Sequence, residues 1–311
     1  MLCTRFMPKA NFQKLNTAFG RAKAKRKPDR TCAEMLASRA IFRPVAASVR
    51  GLATKVAVGG AGGALGSAVL AKIAGGGLGL GDIELKVMGA DRLPAASGDV
   101  KSISGATNVS GLLGDAKYAI LLSGEPAQFQ AAGKALAPGA VAGVMGNTNA
   151  LIVATAAGED KVVTGITKVA QAEGEAVLAS QGSSVSNVIA WGHGVVDVSH
   201  ATVDGKWALP LAGTALPPTT PASPEAAADA IVAHMKALAS GTDGAWTSMA
   251  VPAVGDFGTG SGIFYSVPVI CEEGGDFMRV GGVSLSPEVA AAMEKARVAL
   301  VAEKQAVQQY L

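Results

Sequence analysis

Lys55-Val56-Ala57-Val58-Gly59-Gly60-Ala61-Gly62-Gly63-Ala64-Leu65-Gly66 decides the fold of this chain. Lys55–Val58 is a short apolar strand. It runs into a glycine-rich turn, and residues 67–74 (SAVLAKIA) then read as a helix. The turn carries Gly60-x-x-Gly63-x-x-Gly66. A first glycine permits the tight turn, a second lets the backbone approach a pyrophosphate, and a third lets the helix pack close to the sheet. The N-terminus of the helix favours negative charge. Between a strand and a helix, this triplet points to a dinucleotide-binding turn. In a chain with 40 glycines it is also compatible with a tight turn that holds nothing.

Outward from the turn, Ile83, Leu85 and Val87 alternate with polar residues, so 83–88 is the second strand. It ends in Met88-Gly89-Ala90-Asp91, and Asp91 is the acid placed to accept from a ribose 2′-hydroxyl; a solvated turn residue is the alternative. Strands at 118–122 and 141–145 alternate with helical stretches at 126–137 and 148–156. That series predicts a parallel sheet with crossover helices. The second half changes character. A helix is expected over 167–181, a strand at 188–191, a hairpin over 200–211 around Asp204-Gly205 and a loop over 215–225. Ser223-Pro224-Glu225 opens a helix to 240, strands follow at 245–251, 263–270 and 277–284, and Ser286-Pro287-Glu288 opens a last helix to 310. Val289, Met293, Ala296, Leu300 and Ala306 fall on one broad face of that helix. The predicted class is α/β, a parallel sheet followed by a mixed α/β part.

The 311 residues are 49% hydrophobic but only 5% aromatic, so the core must pack small and aliphatic side chains. Cys3, Cys32 and Cys271 have neither metal-like nor paired spacing. They read as free thiols, with a Cys3–Cys32 disulfide allowed but unsupported, and no metal is expected. No stretch of about 20 apolar residues escapes charge or repeated glycine, so no transmembrane helix is expected. The net charge of +3 conceals an uneven split. Residues 1–54 hold 12 Lys/Arg against Asp29 and Glu34, whereas the remainder holds 15 basic and 22 acidic residues. Residues 35–54 (MLASRAIFRPVAASVRGLAT) have no acid and the makeup of a mitochondrial transit peptide with its own Met35. A plastid peptide fits less well, because Ser and Thr do not dominate. The run Arg21–Arg30 lacks interleaved aromatics, so no nucleic-acid partner is expected. A basic arm of low hydrophobicity orders against a partner surface, which points to other protein subunits.

From residue 55 onward the chain resembles the cytosolic-type branch of NAD-dependent malate dehydrogenase. The stretches that carry the resemblance are Asp115–Ala119, Gly146–Ile152, Asn187–Gly192, His200–Lys206, Trp246–Met249 and Phe264–Val269, with Met293, Leu300, Glu303 and Lys304 in the last helix. After the basic extension at 1–54, which the charge split marks, the resemblance implies a Rossmann-like dinucleotide-binding domain at 55–152 and an α/β substrate domain at 153–311, with a homodimer as the usual assembly. It also implies NAD as the cofactor, held by Gly60, Gly63, Gly66, Asp91, Gly124 and Asn147.

The family's chemistry needs a His that exchanges a proton and is oriented by an Asp. It also needs arginines that fork onto the substrate carboxylates. This chain has no arginine between Arg92 and Arg279. The family's Leu-Asp-His-Asn-Arg stretch aligns with Val169-Ala170-Gln171-Ala172-Glu173, so the Asp position is Ala170 and the Arg position is Glu173. The family's Trp-Gly-Asn-His reads Trp191-Gly192-His193-Gly194 here, which displaces His193 by one position and reverses its direction in extended chain. No catalytic residue is therefore expected, with His193 the base only if the protein is active. The reading favoured at this point is a pseudoenzyme, a structural or accessory subunit of a mitochondrial complex. The alternatives are an active NAD-dependent oxidoreductase of altered substrate preference and an NAD(H)-binding regulatory module.

Overall fold

A computed structural model describes residues 53–208, 215–216 and 223–311. The basic extension and its transit-like segment up to residue 52, with Cys3 and Cys32, lie outside the described residues, and Thr54, placed in the extension from the sequence, opens the first strand.

The chain begins with β1 (Thr54–Gly59), α1 (Gly63–Ala74), β2 (Ile83–Met88), β3 (Val100–Gly105) and the short α2 (Val109–Leu113). There follow β4 (Tyr118–Leu121), α3 (Pro126–Ala135), β5 (Val141–Met145), α4 (Asn147–Ala157), β6 (Val162–Ile166) and α5 (Lys168–Leu178). Short strands come next: β7 (Val185–Ser186), β8 (Ile189–Trp191), β9 (Val195–Asp197), β10 (Thr202–Val203), β11 (Lys206–Trp207) and β12 (Ala215–Leu216). Then come α6 (Pro224–Ser240), β13 (Thr247–Val254), β14 (Ser261–Cys271), β15 (Phe277–Arg279) and α7 (Pro287–Ala306).

A nine-stranded sheet in the order β15-β14-β13-β6-β5-β4-β1-β2-β3 organises these elements. The pairs β3–β2, β2–β1, β1–β4, β4–β5 and β5–β6 are parallel. The order 3-2-1-4-5-6 is that of a doubly wound dinucleotide fold. β13, β14 and β15 continue it antiparallel past β6. Helices cover both faces, so β1 and β4 bury even their successive residues. On one face α1 turns Val69, Leu70 and Ile73 into the core and lies against α6, where Lys72 pairs with Asp229 at 2.6 Å. Each such aliphatic burial stabilises the fold by about 1.5–3 kcal/mol. α2, α3 and α4 pack the other face through Leu112, Phe129, Ile152 and Val153.

The expected α/β architecture is present, a Rossmann-like parallel sheet followed by a mixed α/β part. Several bounds differ. β6 and β3 are strands that the sequence reading did not place. Ala215–Leu216, read as loop, pairs antiparallel with β9. The predicted strand over 277–284 stops at Arg279. The last helix buries Val289, Met293, Ala296 and Leu300, but Ala306 is exposed, because by then the helix has run past the core. Asp204 and Gly205 both have positive φ and turn the expected hairpin between β10 and β11.

Candidate functional site

The carboxyl edges of β1 and β4 part at the point where the strand order reverses, and a crevice opens there. Its wall begins with the glycine turn. A Cβ on Gly60 would lie 2.2 Å from the Ser123 carbonyl oxygen, and one on Gly66 would lie 2.0 Å from that of Ala61. Neither position tolerates a side chain. Gly63 differs: its φ is +70° and nothing lies within 4 Å of where its Cβ would be, so that backbone faces open space. Ser123 follows β4 and donates its hydroxyl to the Gly60 carbonyl at 3.0 Å, joining the two lips of the crevice. A cavity of about 370 Å³ extends from the turn between Met88, Val109, Leu112, Gly124 and Phe129. This is an apolar slot floored by backbone, suited to a flat aromatic base.

Asp91 reaches the same turn. Its Oδ2 accepts from the Gly63 N–H at 2.9 Å, which holds the carboxylate over the start of α1 although it lies beyond the end of β2. Of the positions named from the sequence as cofactor contacts, Gly60 and Gly124 line this crevice, Gly63 and Asp91 are bonded to each other at the start of α1, and Gly66 packs against the Ala61 backbone. Asn147 does not open into the crevice. It is buried, and its amide donates to the carbonyls of Gly192 at 2.9 Å and Phe264 at 3.4 Å. Its work is to hold a loop.

That loop is the apex of the β8–β9 hairpin, Gly192-His193-Gly194. The Gly194 N–H closes it onto the Trp191 carbonyl at 2.8 Å. Below, the buried carboxylate of Asp197 accepts from Trp191 Nε1 at 3.0 Å and from Ser199 N and Oγ. A Cβ on Gly194 would touch the Ala170 methyl at 2.8 Å. His193 turns the other way, toward α7: Nε2 lies 2.9 Å from Glu303 Oε1. Glu303 Oε2 accepts from Thr148 Oγ1 at 2.5 Å. Glu303 was not read from the sequence as a site residue. It meets His193 only through the docking of α7, and spacing carries no sign of it.

Other polar groups have settled roles. His234 is fully buried with Nε2 2.9 Å from Thr164 Oγ1, and burial pulls its imidazole down to about 3. His200 Nε2 meets the Ser284 carbonyl at 2.8 Å. Lys168 pairs with Glu175 at 2.9 Å. Arg279 is held by Asp256 and the Pro252 carbonyl, and Arg297 by Glu294. Neither guanidinium is paired with a group of the His193 loop. Among the described residues no cluster of His, Cys, Asp and Glu could hold a metal ion. No helix among them is long and apolar enough to cross a membrane.

Residues 220–310 match the family model for the lactate/malate dehydrogenase α/β C-terminal domain. The malate dehydrogenase of Naegleria fowleri superposes with a TM-score of 0.71 at 23% identity, over 84% of this chain and 99% of that one. The lactate dehydrogenase of Trichomonas vaginalis, in complex with NADH and oxamate, gives 0.69 at 20% identity, over 83% and 99%. The malate dehydrogenase of Cryptosporidium parvum gives 0.64 at 16%, over 83% and 100%. This chain has the lactate/malate dehydrogenase fold. The likeness spans malate and lactate dehydrogenases alike and does not single out the cytosolic-type branch.

Two expectations are corrected by this. The compared proteins that share the lactate/malate dehydrogenase fold with this chain are named as dehydrogenases, one of them in complex with NADH and oxamate, so the reading as a non-catalytic accessory subunit is overturned, and the pseudoenzyme reading with it. At the loop itself Ala170 offers no carboxylate, and the partner of His193 is Glu303 from another element.

Proposed function

We propose that the protein is an NAD(H)-dependent oxidoreductase whose substrate is a hydroxy or oxo compound lacking the second carboxylate of malate. The observation that carries this reading is the crevice at the β1–β4 reversal, an apolar slot lined by Gly60, Gly62 and Gly124, beside which Asp91 is bonded to the Gly63 N–H. The pyrophosphate would lie against the Gly63 turn and the N-terminus of α1. The adenine would lie between Leu112 and Met88. Asp91 Oδ1, left over from the Gly63 bond, would accept from a ribose hydroxyl and disfavour a 2′-phosphate. When bound, the dinucleotide supplies the hydride donor or acceptor.

Substrate class follows from what could grip it. Two of the three arginines after residue 55 are held by Asp256 and Glu294, and Lys168 by Glu175. Glu173, one helical turn beyond Ala170, would repel a dicarboxylate. The stretches from Asp115 to Val269 support the cytosolic-type branch, with a substrate preference altered from malate. The transit-like segment supports a mitochondrial setting for the reaction.

Calorimetry with NADH and NADPH tests the reading. NADH should bind and NADPH bind more weakly. Turnover is then followed at 340 nm over a panel of monocarboxylic, dicarboxylic and uncharged hydroxy compounds. Absence of heat with millimolar NADH defeats the proposal.

A further inference from the structure

We infer that Glu303 is the positioning residue for His193, so that a carboxylate from the last helix does the orienting that Ala170 cannot. The inference rests on the oxidoreductase reading above and adds a residue to it.

Three contacts fix the geometry. Glu303 Oε1 lies 2.9 Å from His193 Nε2, Glu303 Oε2 accepts from Thr148 Oγ1 at 2.5 Å, and Asn147 donates to the Gly192 carbonyl at 2.9 Å. Both carboxylate oxygens are engaged, so the group cannot rotate freely. Asn147 and Thr148 open α4 at the carboxyl end of β5. One helix start therefore holds both the loop that carries His193 and the carboxylate that faces it. α7 is a rigid carrier, anchored by Val289, Met293, Ala296 and Leu300 in the core. Past its end, Gln130 Nε2 donates to the Tyr310 carbonyl at 3.1 Å.

A carboxylate on Nε2 selects the tautomer that has the proton there, which leaves Nδ1 as an acceptor. Nδ1 has no hydrogen-bond partner among the described residues, and the His193 side chain is one-third exposed. In the oxidising direction Nδ1 would take the proton of the substrate hydroxyl as the carbinol C–H bond breaks, its hydrogen leaving as the hydride that a bound dinucleotide would accept. The imidazole becomes a cation, and Glu303 stabilises that charge through the Nε2–H. In the reducing direction the same proton returns to the new hydroxyl.

The test uses the full chain labelled with ¹⁵N-histidine, with the His193 signals assigned from His193→Gln. In the wild type, the neutral ring should show Nε2 protonated and Nδ1 bare. Glu303→Gln should give the averaged shifts of a mixed tautomer. Its kcat should fall about a hundredfold, with KM and NADH affinity changed less than about threefold. Thr148→Val, which leaves Glu303 in place with one oxygen released, should lie between them. Ring shifts unchanged by Glu303→Gln, or an unchanged kcat, overturn the inference and leave the dinucleotide reading standing. Failure of the wild type to bind NADH overturns that reading, and the inference with it. Binding without turnover of any substrate in the panel counts against both.

Discussion

Gly194 lies against Ala170 so closely that a Cβ built on the glycine would come within 2.8 Å of the alanine methyl. Two elements that could have carried a hydrogen-bonded pair are here packed backbone to methyl. Gly194 also has φ +101°, where an L side chain is strained. Gly194→Ala should therefore destabilise the protein by about 1–3 kcal/mol from backbone strain, before the clash is counted. Urea denaturation measures it. The same geometry predicts that Ala170→Asp combined with Gly194→His lowers stability and confers no turnover of malate. A gain in malate turnover from that double variant would show that the hairpin yields more easily than its contacts imply.

The Asp91–Gly63 bond sets a second expectation. Asp91→Asn keeps an acceptor for the Gly63 N–H but removes the charge. Affinity for NADH should fall, and the preference for NADH over NADPH should shrink by about tenfold, the effect of roughly 1.4 kcal/mol. Titration calorimetry with both dinucleotides reads the ratio. An unchanged ratio would mean that the carboxylate serves only to cap the turn.

Features with local causes were legible in the sequence. Ile83–Met88, Val141–Met145 and residues 224–240 have the predicted bounds, because alternation, an apolar run and a Ser-Pro-Glu start are properties of neighbouring residues. The Gly60–Gly66 turn was legible for the same reason. β6 was not, since Thr164 and Gly165 interrupt its apolar run and only burial between β5 and β13 makes it a strand. β3 is a polar edge strand, Val-Lys-Ser-Ile-Ser-Gly, with little to mark it. At the site, the loss of partners for His193 could be read, but the gain of Glu303 could not. Hydrogen bonding between a hairpin apex and the last helix is a product of packing, and no periodicity announces it. The placement of Asn147 was illegible for a related reason: its buried amide donates to two backbone carbonyls that only packing brings near it.

His234 governs the acid limb of stability. Burial depresses its folded-state value to about 3, against an ordinary value of 6.5. Below the ordinary value the unfolded chain takes up a proton that the folded chain refuses. Stability is therefore full above about pH 6.5 and falls as pH drops toward 3, by about 1.4 kcal/mol per unit from this group alone. His234→Leu should flatten that limb between pH 6 and 4, at some cost at neutral pH because Thr164 loses its partner. Equilibrium denaturation at a series of pH values checks it, and an equally steep limb in the variant would assign the loss to other groups.

Glu173 ties stability to substrate choice. One carboxylate oxygen is buried without a hydrogen-bond partner, and desolvation raises its pKa. A raised carboxyl makes the folded state the better proton acceptor, so its effect is opposite in sign to that of His234. The folded protein suffers no penalty below the ordinary glutamate range and loses stability as pH rises through the folded value. Glu173→Gln should accordingly raise the urea midpoint at neutral pH and leave it nearly unchanged near pH 4. The position also lies one turn along α5 from Ala170, beside the His193 hairpin, with Gly174 packed against Val188 and Val196. On the proposed function, a negative charge there would select against an anionic group at the far end of the substrate. Glu173→Arg should reverse the preference, raising kcat/KM for a dicarboxylic acid relative to an uncharged analogue by about one to two orders of magnitude, the scale of a charge-assisted bidentate contact. Two measurements on one residue keep the claims separate: an unaltered substrate ratio together with the predicted pH effect would make Glu173 a destabilising charge and nothing more.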